Sequence, residues 1–373
     1  MRILVSGGHL TPALAFIEYT KSKYPESLIF FAGRKYARKE EKQLANEQQE
    51  SEKFGAIFVP FNSGKLGQGG TVEKTLDFIS LIGGIIKALI LIPRYQPNVF
   101  VSFGGYLAVP LAIASWFWRI PVVTHEQTRT AGIANSIIAK FANKIAVAYP
   151  EAAKHFPASK TSVVGNPIRR ILLDNKTAEQ PKWFKTTSKK PLLYVTGGSQ
   201  GSEVINTTVA RSLPQILKDW TIIHQCGQAT EKRNYVEELE KASNKLNRTK
   251  RGRYFVRPWV TDAELSWIYA NTVAIVSRAG ANTVAEITHL KLPAILIPIP
   301  FSHKDEQLLN AKALSDIGGA ILLQQKDFNS KSLSANLEII LSKHASFSRK
   351  LERISDSQAK AAEKLFQLVK PYL

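Results

Sequence analysis

In the middle of the chain stands the stretch Leu192-Leu193-Tyr194-Val195-Thr196-Gly197-Gly198-Ser199-Gln200-Gly201. Its apolar run predicts a buried β-strand, and the glycines that follow predict a tight turn before a helix. Further apolar runs alternate with helix-length segments and lie at 221–224, 254–256, 273–276 and 294–297. This alternation is typical of a parallel sheet that is covered by helices on both faces. Residues 191–345 are therefore predicted to form one α/β domain.

The first part of the chain repeats this alternation. It predicts helices at 11–23 and from Val72 onward, and strands at 3–6, 28–32, 56–61, 99–103, 122–124 and 145–148. We expect residues 1–168 to form a second α/β domain and the polar residues 169–190 to form a linker. We also expect 346–373 to be a C-terminal helix that packs back towards the N-terminal domain, because 347–369 carries apolar residues at helical spacing.

Two Rossmann-like, doubly wound domains of this kind would face each other across a cleft. In such sheets, ligands bind beyond the carboxyl ends of the strands. The residues that follow the strands are therefore the first candidates for a functional site.

The composition limits the class of protein. The chain has 373 residues, of which 44% are hydrophobic, so each of two domains can bury a core. Its single cysteine, Cys226, excludes an intramolecular disulfide and agrees with a reducing compartment. The N-terminus lacks the apolar core of a signal peptide, and the apolar stretch 78–92 is shorter than the ~20 residues of a membrane span. We therefore expect a cytoplasmic protein.

The formal net charge of +20 indicates a partner with negative charge. Charge alone leaves nucleic acid, anionic lipid headgroups and a phosphorylated substrate open. Nucleic acid is disfavoured, because the basic residues are spread along the chain and the glycine turns suggest a ligand cleft.

Four predicted strands end in turns that contain glycine, at 6–9, 104–106, 197–201 and 278–282. Glycine allows close approach of a ligand, and the helix that follows offers amide groups to a phosphate. For any single turn, tight turn geometry is an equal explanation, but four turns at sheet edges favour a ligand that carries a diphosphate. A G-x-G-x-x-G fingerprint is absent, which counts against NAD.

The sequence contains no D-x-D pair and no Cys/His cluster with metal-ligand spacing. We therefore expect no metal ion at the site. The charge of a leaving diphosphate would instead be stabilised by helix N-termini and by basic side chains such as Arg169 and Arg278.

Three further signals leave a structural and a functional interpretation open. Thr283 and Glu286 have capping-box spacing, although Glu286 could also accept hydrogen bonds from ribose hydroxyls. His9, His125 and Glu126 follow strands and could accept a proton from a hydroxyl group. The polar loop 301–307 suits a sugar, although exposed loops are usually polar.

Together, these segments resemble the MurG family of GT-B glycosyltransferases over most of the chain. The resemblance is carried, in order, by Gly7-Gly8-His9 with Pro12-Ala13, Gly104-Gly105-Tyr106, His125-Glu126-Gln127 with Ala131-Gly132, Gly165-Asn166-Pro167-Ile168-Arg169, Gly197-Gly198-Ser199-Gln200-Gly201 with Asn206, Ser277-Arg278-Ala279-Gly280-Ala281 with 283–287, and His303-Lys304-Asp305 with Gln307, Asn310 and Ala311.

The resemblance implies a GT-B fold and transfer of N-acetylglucosamine (GlcNAc) from UDP-GlcNAc with inversion at the anomeric carbon. The implied acceptor is undecaprenyl-diphosphate-linked N-acetylmuramoyl-pentapeptide, so the reaction converts lipid I to lipid II in peptidoglycan synthesis. No cofactor is implied. A related transferase for another lipid or polyprenyl-linked acceptor and a UDP-GlcNAc epimerase remain alternatives.

The resemblance also implies roles for individual residues. His9 would be the base or a charge stabiliser, with Glu126 as the second candidate. The uracil would meet the backbone of Val260, the ribose Glu286, and the sugar hydroxyls Gln307. The rest of the donor site would comprise Arg169, Ser199, Gln200, Ala281, Asn282, Thr283, Val284 and Ala285. The acceptor and its diphosphate would meet Gly7, Gly8, Gly104, Gly105, Tyr106 and Thr128.

Two departures from the family pattern lie on the acceptor side. The first loop is usually G-G-T-G-G-H but here keeps only Gly7-Gly8-His9 after Ser6, and Thr128 replaces the usual asparagine. A lipid-linked acceptor also implies peripheral binding to the cytoplasmic face of the membrane. We expect that contact at 76–92, where Phe78, Ile79, Ile82, Ile85 and Ile86 are flanked by Lys74, Lys87 and Arg94.

Overall fold

The computed structural model describes residues 1–35, 46–63, 71–173, 178–198, 200–229, 233–354 and 357–373, excluding the side chains of residues 46, 71–79 and 303. The chain forms two compact units. Unit 1 is Met1–Arg170 with Ser357–Leu373, and unit 2 is Ile171–Asp356. No helix in the described ranges is long and apolar enough to cross a membrane.

Unit 1 contains a seven-stranded parallel sheet with the order β3-β2-β1-β4-β5-β6-β7. Its strands are β1 (Arg2–Ser6), β2 (Leu28–Gly33), β3 (Ile57–Pro60), β4 (Val99–Ser102), β5 (Val122–Glu126), β6 (Lys144–Val147) and β7 (Thr161–Val163). Its helices are α1 (Leu10–Lys23), α2 (Asn46–Lys53), α3 (Thr71–Tyr95), α4 (Ala108–Phe117), α5 (Ile133–Ile138) and α6 (Pro150–Ala153), and the short α7 (Arg170–Leu173) crosses the boundary between the units.

Unit 2 contains a six-stranded parallel sheet with the order β10-β9-β8-β11-β12-β13. Its strands are β8 (Leu192–Thr196), β9 (Thr221–Gln225), β10 (Tyr254–Arg257), β11 (Thr272–Ser277), β12 (Ala294–Leu296) and β13 (Ala320–Leu322). Its helices are α8 (Glu203–Ile216), α9 (Tyr235–Asn244), α10 (Arg248–Arg251), α11 (Asp262–Asn271), α12 (Ala281–Leu290), α13 (Glu306–Asp316) and α14 (Ser330–Glu352).

The central strands are buried on both faces, which explains their uninterrupted apolar runs. Ile3, Leu4 and Val5 in β1 are all completely buried. Such strands belong to parallel sheets with helices on either side. The α/β class with two parallel sheets is thus confirmed.

The strand order reverses between β1 and β4 in unit 1 and between β8 and β11 in unit 2. Connections leave such a pair of strands in opposite directions, so a crevice opens at their carboxyl ends. The glycine turns at 6–9 and 104–106 follow β1 and β4, and the turns at 197–201 and 278–282 follow β8 and β11.

Two strands were not predicted. β7 and β13 have three residues each. β7 reads Thr-Ser-Val, and its side chains are half-buried or exposed because it lies at the edge of the sheet. Hydrophobic periodicity is too weak over three residues to identify such a strand.

The prediction of one helix over 347–369 is wrong. Helix α14 ends at Glu352, and a separate helix, α15 (Ala361–Val369), packs on α1 in unit 1. Leu351 packs in the unit 2 core and Leu365 in the unit 1 core, so the apolar residues of 347–369 are divided between two cores. Helical spacing in the sequence does not reveal this division. Within unit 1, Phe366 of α15 stacks on Tyr24, with 5.0 Å between the ring centroids.

The segment 169–190, which was expected as a linker, includes residues that pack into unit 2. Phe184 is buried in the unit 2 core, and its ring lies 4.7 Å from that of Phe255 and 5.1 Å from that of Trp267. Lysines on both sides of Trp183-Phe184 make this segment polar on average, so the sequence did not indicate the packing.

Candidate functional site

The turns after β1 and β4 pack directly on each other. The Gly8 amide donates to the Gly104 carbonyl oxygen at 2.9 Å. A Cβ atom on Gly105, whose φ is +79°, would lie 2.6 Å from the Gly8 nitrogen, and one on Gly7 would lie 2.6 Å from Cβ of Phe103. Close packing is thus one reason for these glycines. The Gly8 amide, predicted to face the acceptor diphosphate, is already bonded to Gly104.

His9 lies directly before α1 and is half-buried. Its imidazole makes no hydrogen bond with any residue that the structure describes. Burial lowers the pKa of His9, and the nearby Glu126 carboxylate opposes this by raising it. A neutral imidazole without a partner can accept a proton, and Glu126 can stabilise the resulting imidazolium.

Glu126, at the end of β5, is 2% exposed and accepts four hydrogen bonds. One oxygen accepts from the Thr128 amide at 3.0 Å and from the Thr128 hydroxyl at 2.7 Å. The other accepts from the Gly132 amide at 2.9 Å and from Asn135 Nδ2 at 3.0 Å. All four hydrogen bonds of Glu126 thus come from its own loop and from α5. Of the two predicted candidates for the base, only His9 has no hydrogen-bond partner within the described residues.

The side chain of Thr128 faces its own loop. Its hydroxyl lies within hydrogen-bond distance of both Glu126 and the Thr130 carbonyl oxygen. Because the residue is also buried, this hydroxyl has no free direction towards the expected acceptor. Tyr106 is half-buried, and the Arg34 guanidinium lies 5.9 Å from the centroid of its ring.

Asn135 was not predicted as a site residue. Its Oδ1 accepts from the Thr124 hydroxyl at 2.8 Å, and its Nδ2 also lies 3.1 Å from the His125 carbonyl oxygen. The available signal was an asparagine within the otherwise mostly apolar helix α5.

His125 is buried, and burial lowers its pKa to about 4. Its Nε2 lies 2.9 Å from the Gly165 carbonyl oxygen, which can only accept, so the proton of the neutral ring is on Nε2. Its Nδ1 has no partner within the described residues. His125 is therefore a neutral group that links β5 to the chain after β7.

In unit 2, the turn after β8 packs directly against the turn after β9. A Cβ atom on Gly201, whose φ is +73°, would collide with the Cys226 carbonyl oxygen. By contrast, a Cβ atom on Gly198 would enter open space. Ser199, predicted to bind the donor, lies outside the described residues, and Gln200 is exposed.

Arg278, which was expected to stabilise a leaving diphosphate, makes three hydrogen bonds within unit 2. Its guanidinium donates to Ser202 Oγ and to Gln325 Oε1 at 2.8 Å each, and to the Ile297 carbonyl oxygen at 3.2 Å. It therefore connects three loops of unit 2. Burial lowers the pKa of Arg278, and no carboxylate in the described ranges pairs with it. Its positive charge still favours an anion nearby.

The capping box predicted at Thr283 is wrong. Helix α12 begins at Ala281 after Gly280, and no side chain caps it. Thr283 therefore lies inside the first turn of α12 and not before the helix, and Glu286 lies in the second turn. Glu286 is buried, and its Oε2 accepts from the Tyr269 hydroxyl at 2.9 Å. Tyr269 was not predicted, because it comes from a different helix, α11.

Val260 follows β10, and its side chain is buried. Its backbone N–H and C=O make no hydrogen bond with described residues. A capping box begins immediately afterwards, because Thr261 and Glu264 bond reciprocally at the start of α11. The Val260 peptide groups therefore lie directly before a capped helix start and remain available to a ligand.

The loop after β12 is held by Gln307, whose Oε1 accepts from the Ile299 amide at 3.1 Å. Asn310 ties the same region to the loop after β11 through a 3.2 Å bond to the Ala279 carbonyl oxygen. Arg169, the remaining predicted donor residue, is half-buried near the end of the first segment of unit 1. Within the described ranges, no group of three or more His, Cys, Asp or Glu side chains is arranged to hold a metal ion.

Sequence comparison identifies the family. Residues 6–147 match the glycosyltransferase family 28 N-terminal domain, and residues 192–367 match the glycosyltransferase family 28 C-terminal domain. A Bacillus cereus protein is 33% identical over 356 residues, which cover 95% of this chain and 94% of that protein. It is named UDP-N-acetylglucosamine–N-acetylmuramyl-(pentapeptide) pyrophosphoryl-undecaprenol N-acetylglucosamine transferase 2. A Clostridium botulinum transferase of the same kind is 32% identical over 91% of this chain and 90% of that protein.

The chain belongs to the MurG family of glycosyltransferases. The family resemblance and the enzyme class predicted from the sequence are therefore confirmed. Among solved structures, Acinetobacter baumannii MurG aligns with a TM-score of 0.71 at 22% identity and covers 99% of both chains. A Neisseria meningitidis UDP-GlcNAc 2-epimerase aligns with a TM-score of 0.69 at 10% identity and covers 100% of both chains. Structural similarity thus establishes the fold, while the sequence relatives separate transferase from epimerase.

Proposed function

We propose that this member of the MurG family transfers GlcNAc from UDP-GlcNAc to undecaprenyl-diphosphate-linked N-acetylmuramoyl-pentapeptide. The structural observation that carries the proposal is a set of three polar features at the carboxyl edge of unit 2. They are the peptide groups of Val260, which have no partner within the described residues, the buried carboxylate of Glu286, which accepts from Tyr269, and the start of α12, which no side chain caps. The names of the sequence relatives specify the acceptor.

These groups match the parts of a uridine diphosphate. The N–H and C=O of Val260 complement the O4 acceptor and N3–H donor of uracil. Glu286 would accept hydrogen bonds from the ribose hydroxyls, with Tyr269 orienting the carboxylate. The first-turn amides of α12, at Ala281 and Thr283, would bind the diphosphate, since a helix N-terminus stabilises negative charge.

The remaining donor residues of the proposal are those that the family resemblance implies. Ser199, Gln200 and Arg169 would bind the nucleotide, and Gln307 would bind the sugar hydroxyls. The first two turns of α12 also contain Asn282, Val284 and Ala285, which would line the site.

In the reaction, an acceptor hydroxyl oxygen forms a bond to the anomeric carbon while the bond from that carbon to the UDP oxygen breaks. Attack from the opposite face inverts the anomeric configuration. UDP takes the bonding electron pair, and its charge is stabilised by the amides of α12. The hydroxyl proton passes to His9, whose imidazolium is stabilised by Glu126.

A reconstitution assay tests this function. The protein is incubated with UDP-GlcNAc and the muramoyl-pentapeptide lipid, and the disaccharide lipid is measured. Product with a diacylglycerol but not with the muramoyl lipid would reject the proposed acceptor. Release of free epimerised sugar from UDP-GlcNAc alone would reject transferase activity in favour of an epimerase.

We also propose that unit 1 binds the cytoplasmic face of the membrane through an apolar face on α3 and α4. Ile82, Ile86 and Ile90 follow one another at i,i+4 spacing on α3, and Ile90 is 67% exposed. Residues 76–79, which were part of the predicted patch, have no described side chains. Ala88, Leu91 and Ile92 of the same helix are buried in the core, so only one side of α3 can contact lipid.

The end of α4 extends this face. Trp116, Phe117 and Trp118 are 58%, 61% and 46% exposed, and Trp118 Nε1 donates to the Leu89 carbonyl oxygen of α3 at 3.0 Å. Exposed cations lie nearby in the sequence at Lys87, Arg94, Arg119 and Lys140. Apolar insertion combined with basic attraction is sufficient for reversible membrane binding.

Vesicle binding tests the membrane proposal. Ile86→Asp combined with Phe117→Ser should reduce binding to anionic phospholipid vesicles, while turnover on a detergent-solubilised acceptor is retained. Ile339→Asp, at an exposed apolar residue of unit 2, is the matched control. Equal vesicle binding by the wild type and the double variant would contradict the proposal.

A further inference from the structure

Trp183 lies in the segment before β8, which was expected to be only a linker. Its Nε1 donates to Glu264 Oε1 at 2.5 Å, and the Arg257 guanidinium lies 4.2 Å from its ring centroid. Its ring also contacts Phe184 and Phe255 edge-on or tilted, at 6.2 and 6.4 Å between centroids. Trp183 is therefore held in place by unit 2.

Glu264 connects Trp183 to the start of α11. Its other oxygen, Oε2, accepts from the Thr261 amide at 2.7 Å and from the Thr261 hydroxyl at 3.0 Å. The two carboxylate oxygens thus have separate tasks: one is held by Trp183, and the other caps the helix. Although desolvation raises the pKa of Glu264, bonds from Thr261 and Trp183 lower it overall, so the carboxylate stays ionised.

The capped residue Thr261 is the direct neighbour of Val260. Rotation of the Glu264 carboxylate would shift the Thr261 amide, which shares a peptide bond with the Val260 carbonyl. The Val260 C=O has no partner of its own within the described residues, so the cap fixes the orientation of the peptide unit to which it belongs.

We propose that Trp183 is a positioning residue for base recognition, which acts through Glu264 and Thr261 on the peptide groups of Val260. The segment that enters unit 2 thereby contributes to selection of uracil. This inference rests on the proposed function, because Val260 is assigned to the base there. Cytosine has the opposite donor and acceptor pattern at N3 and at its exocyclic position, so a rigid Val260 favours UDP over CDP.

The test uses Trp183→Phe, which keeps an aromatic ring but removes the N–H donor. We expect the Kd for UDP to rise about threefold to tenfold, because a hydrogen bond to a charged group is lost. The Kd for CDP should change little, so the UDP/CDP preference falls by a similar factor. The Glu264→Ala variant should reduce the same preference, and combining both changes should add little to either one.

Trp220→Phe is the matched control, because Trp220 is buried directly before β9 and packs in a different part of the unit 2 core from Val260. It should lower the melting temperature without altering the UDP/CDP preference. If Trp183→Phe lowers affinity for both nucleotides equally, or leaves both unchanged, the positioning role is wrong. If the wild type itself binds UDP no better than CDP, it is the proposed donor site that fails.

Discussion

Units 1 and 2 share a parallel sheet and glycine turns at its carboxyl edge, but they use the polar groups of these turns differently. In unit 1 the groups bond to one another: Gly8 donates to Gly104, and Glu126 has four donors. In unit 2 the peptide groups of Val260 make no bond within the described chain, and α12 has no side-chain cap. The same fold thus offers a rigid frame around one histidine in unit 1 and an open set of binding groups in unit 2.

This difference indicates separate tasks for the two units. An edge with open donors and acceptors suits a ligand with many polar atoms, such as a nucleotide. An edge at which Gly8 and Glu126 are already hydrogen-bonded and the His9 imidazole has no partner within the described residues suits proton transfer, because the base is held in a fixed environment. Variants that separate turnover, affinity and stability test this division.

The largest effect is expected at His9 in unit 1. His9→Ala should lower turnover about 10²- to 10⁴-fold, the range of general base catalysis, with the Kd for UDP unchanged. Steady-state kinetics and nucleotide titration measure the two quantities. His155→Ala, an exposed histidine of the same unit, should leave turnover unchanged. If His9→Ala retains full turnover, His9 is not the proton acceptor and the task assigned to unit 1 is wrong.

A smaller effect is expected at Glu286 in unit 2. Glu286→Gln keeps an acceptor for Tyr269 but removes the charge, so the Kd for UDP should rise about 10- to 100-fold. The wild type should prefer UDP to 2′-deoxy-UDP, and the variant should lose most of this preference. Tyr269→Phe is the control for the buried bond and should affect UDP less. A preference that survives Glu286→Gln would show that the ribose binds elsewhere.

Substitution of a turn glycine by alanine should mainly affect stability in unit 1 and nucleotide binding in unit 2. Gly105→Ala should lower the free energy of unfolding by about 1–3 kcal/mol, since its φ is +79° and its Cβ would contact Gly8. A Cβ atom on Gly280 meets nothing within 4 Å, so Gly280→Ala should cost less than about 1 kcal/mol and should instead weaken UDP binding. Urea unfolding and nucleotide titration distinguish the two outcomes. Equal stability losses would contradict the division between packing and ligand-binding turns.

Acid should destabilise the two units in the same way. Burial lowers the pKa of His125 to about 4 and that of His224 to about 3, from 6.5. The unfolded chain therefore binds protons first as the pH falls below 6.5. As the pH falls from 6.5 to the folded pKa of each histidine, protonation of that histidine in the unfolded chain should lower the free energy of unfolding by about 1.4 kcal/mol per pH unit. This stability is fully present above pH 6.5.

Hydrogen exchange resolved by unit can measure this loss. His125→Gln should reduce the slope of stability against pH in unit 1, and His224→Gln should reduce it in unit 2. A slope that neither substitution changes would mean that other groups cause the acid sensitivity.

The family and the sheets followed from local patterns in the sequence. Apolar runs such as 192–195 and the glycines after them identify buried parallel strands and their turns, because both signals lie within a few consecutive residues. The order of the motifs then identified the MurG family. Thr283 shows the limit of this approach: its spacing to Glu286 fits a helix cap, but the spacing does not reveal that the helix starts at Ala281.

Only the tertiary structure decided which polar groups are already bonded and which remain available. Glu126 is satisfied in part by Asn135, Glu286 by Tyr269, and Gly8 by Gly104, which lies on a different strand connection. The physical reason is that a buried group finds its partners across the fold, at sequence separations that no local pattern encodes. The sequence thus determined the fold and the candidate residues, while packing decided which of their polar groups are already hydrogen-bonded.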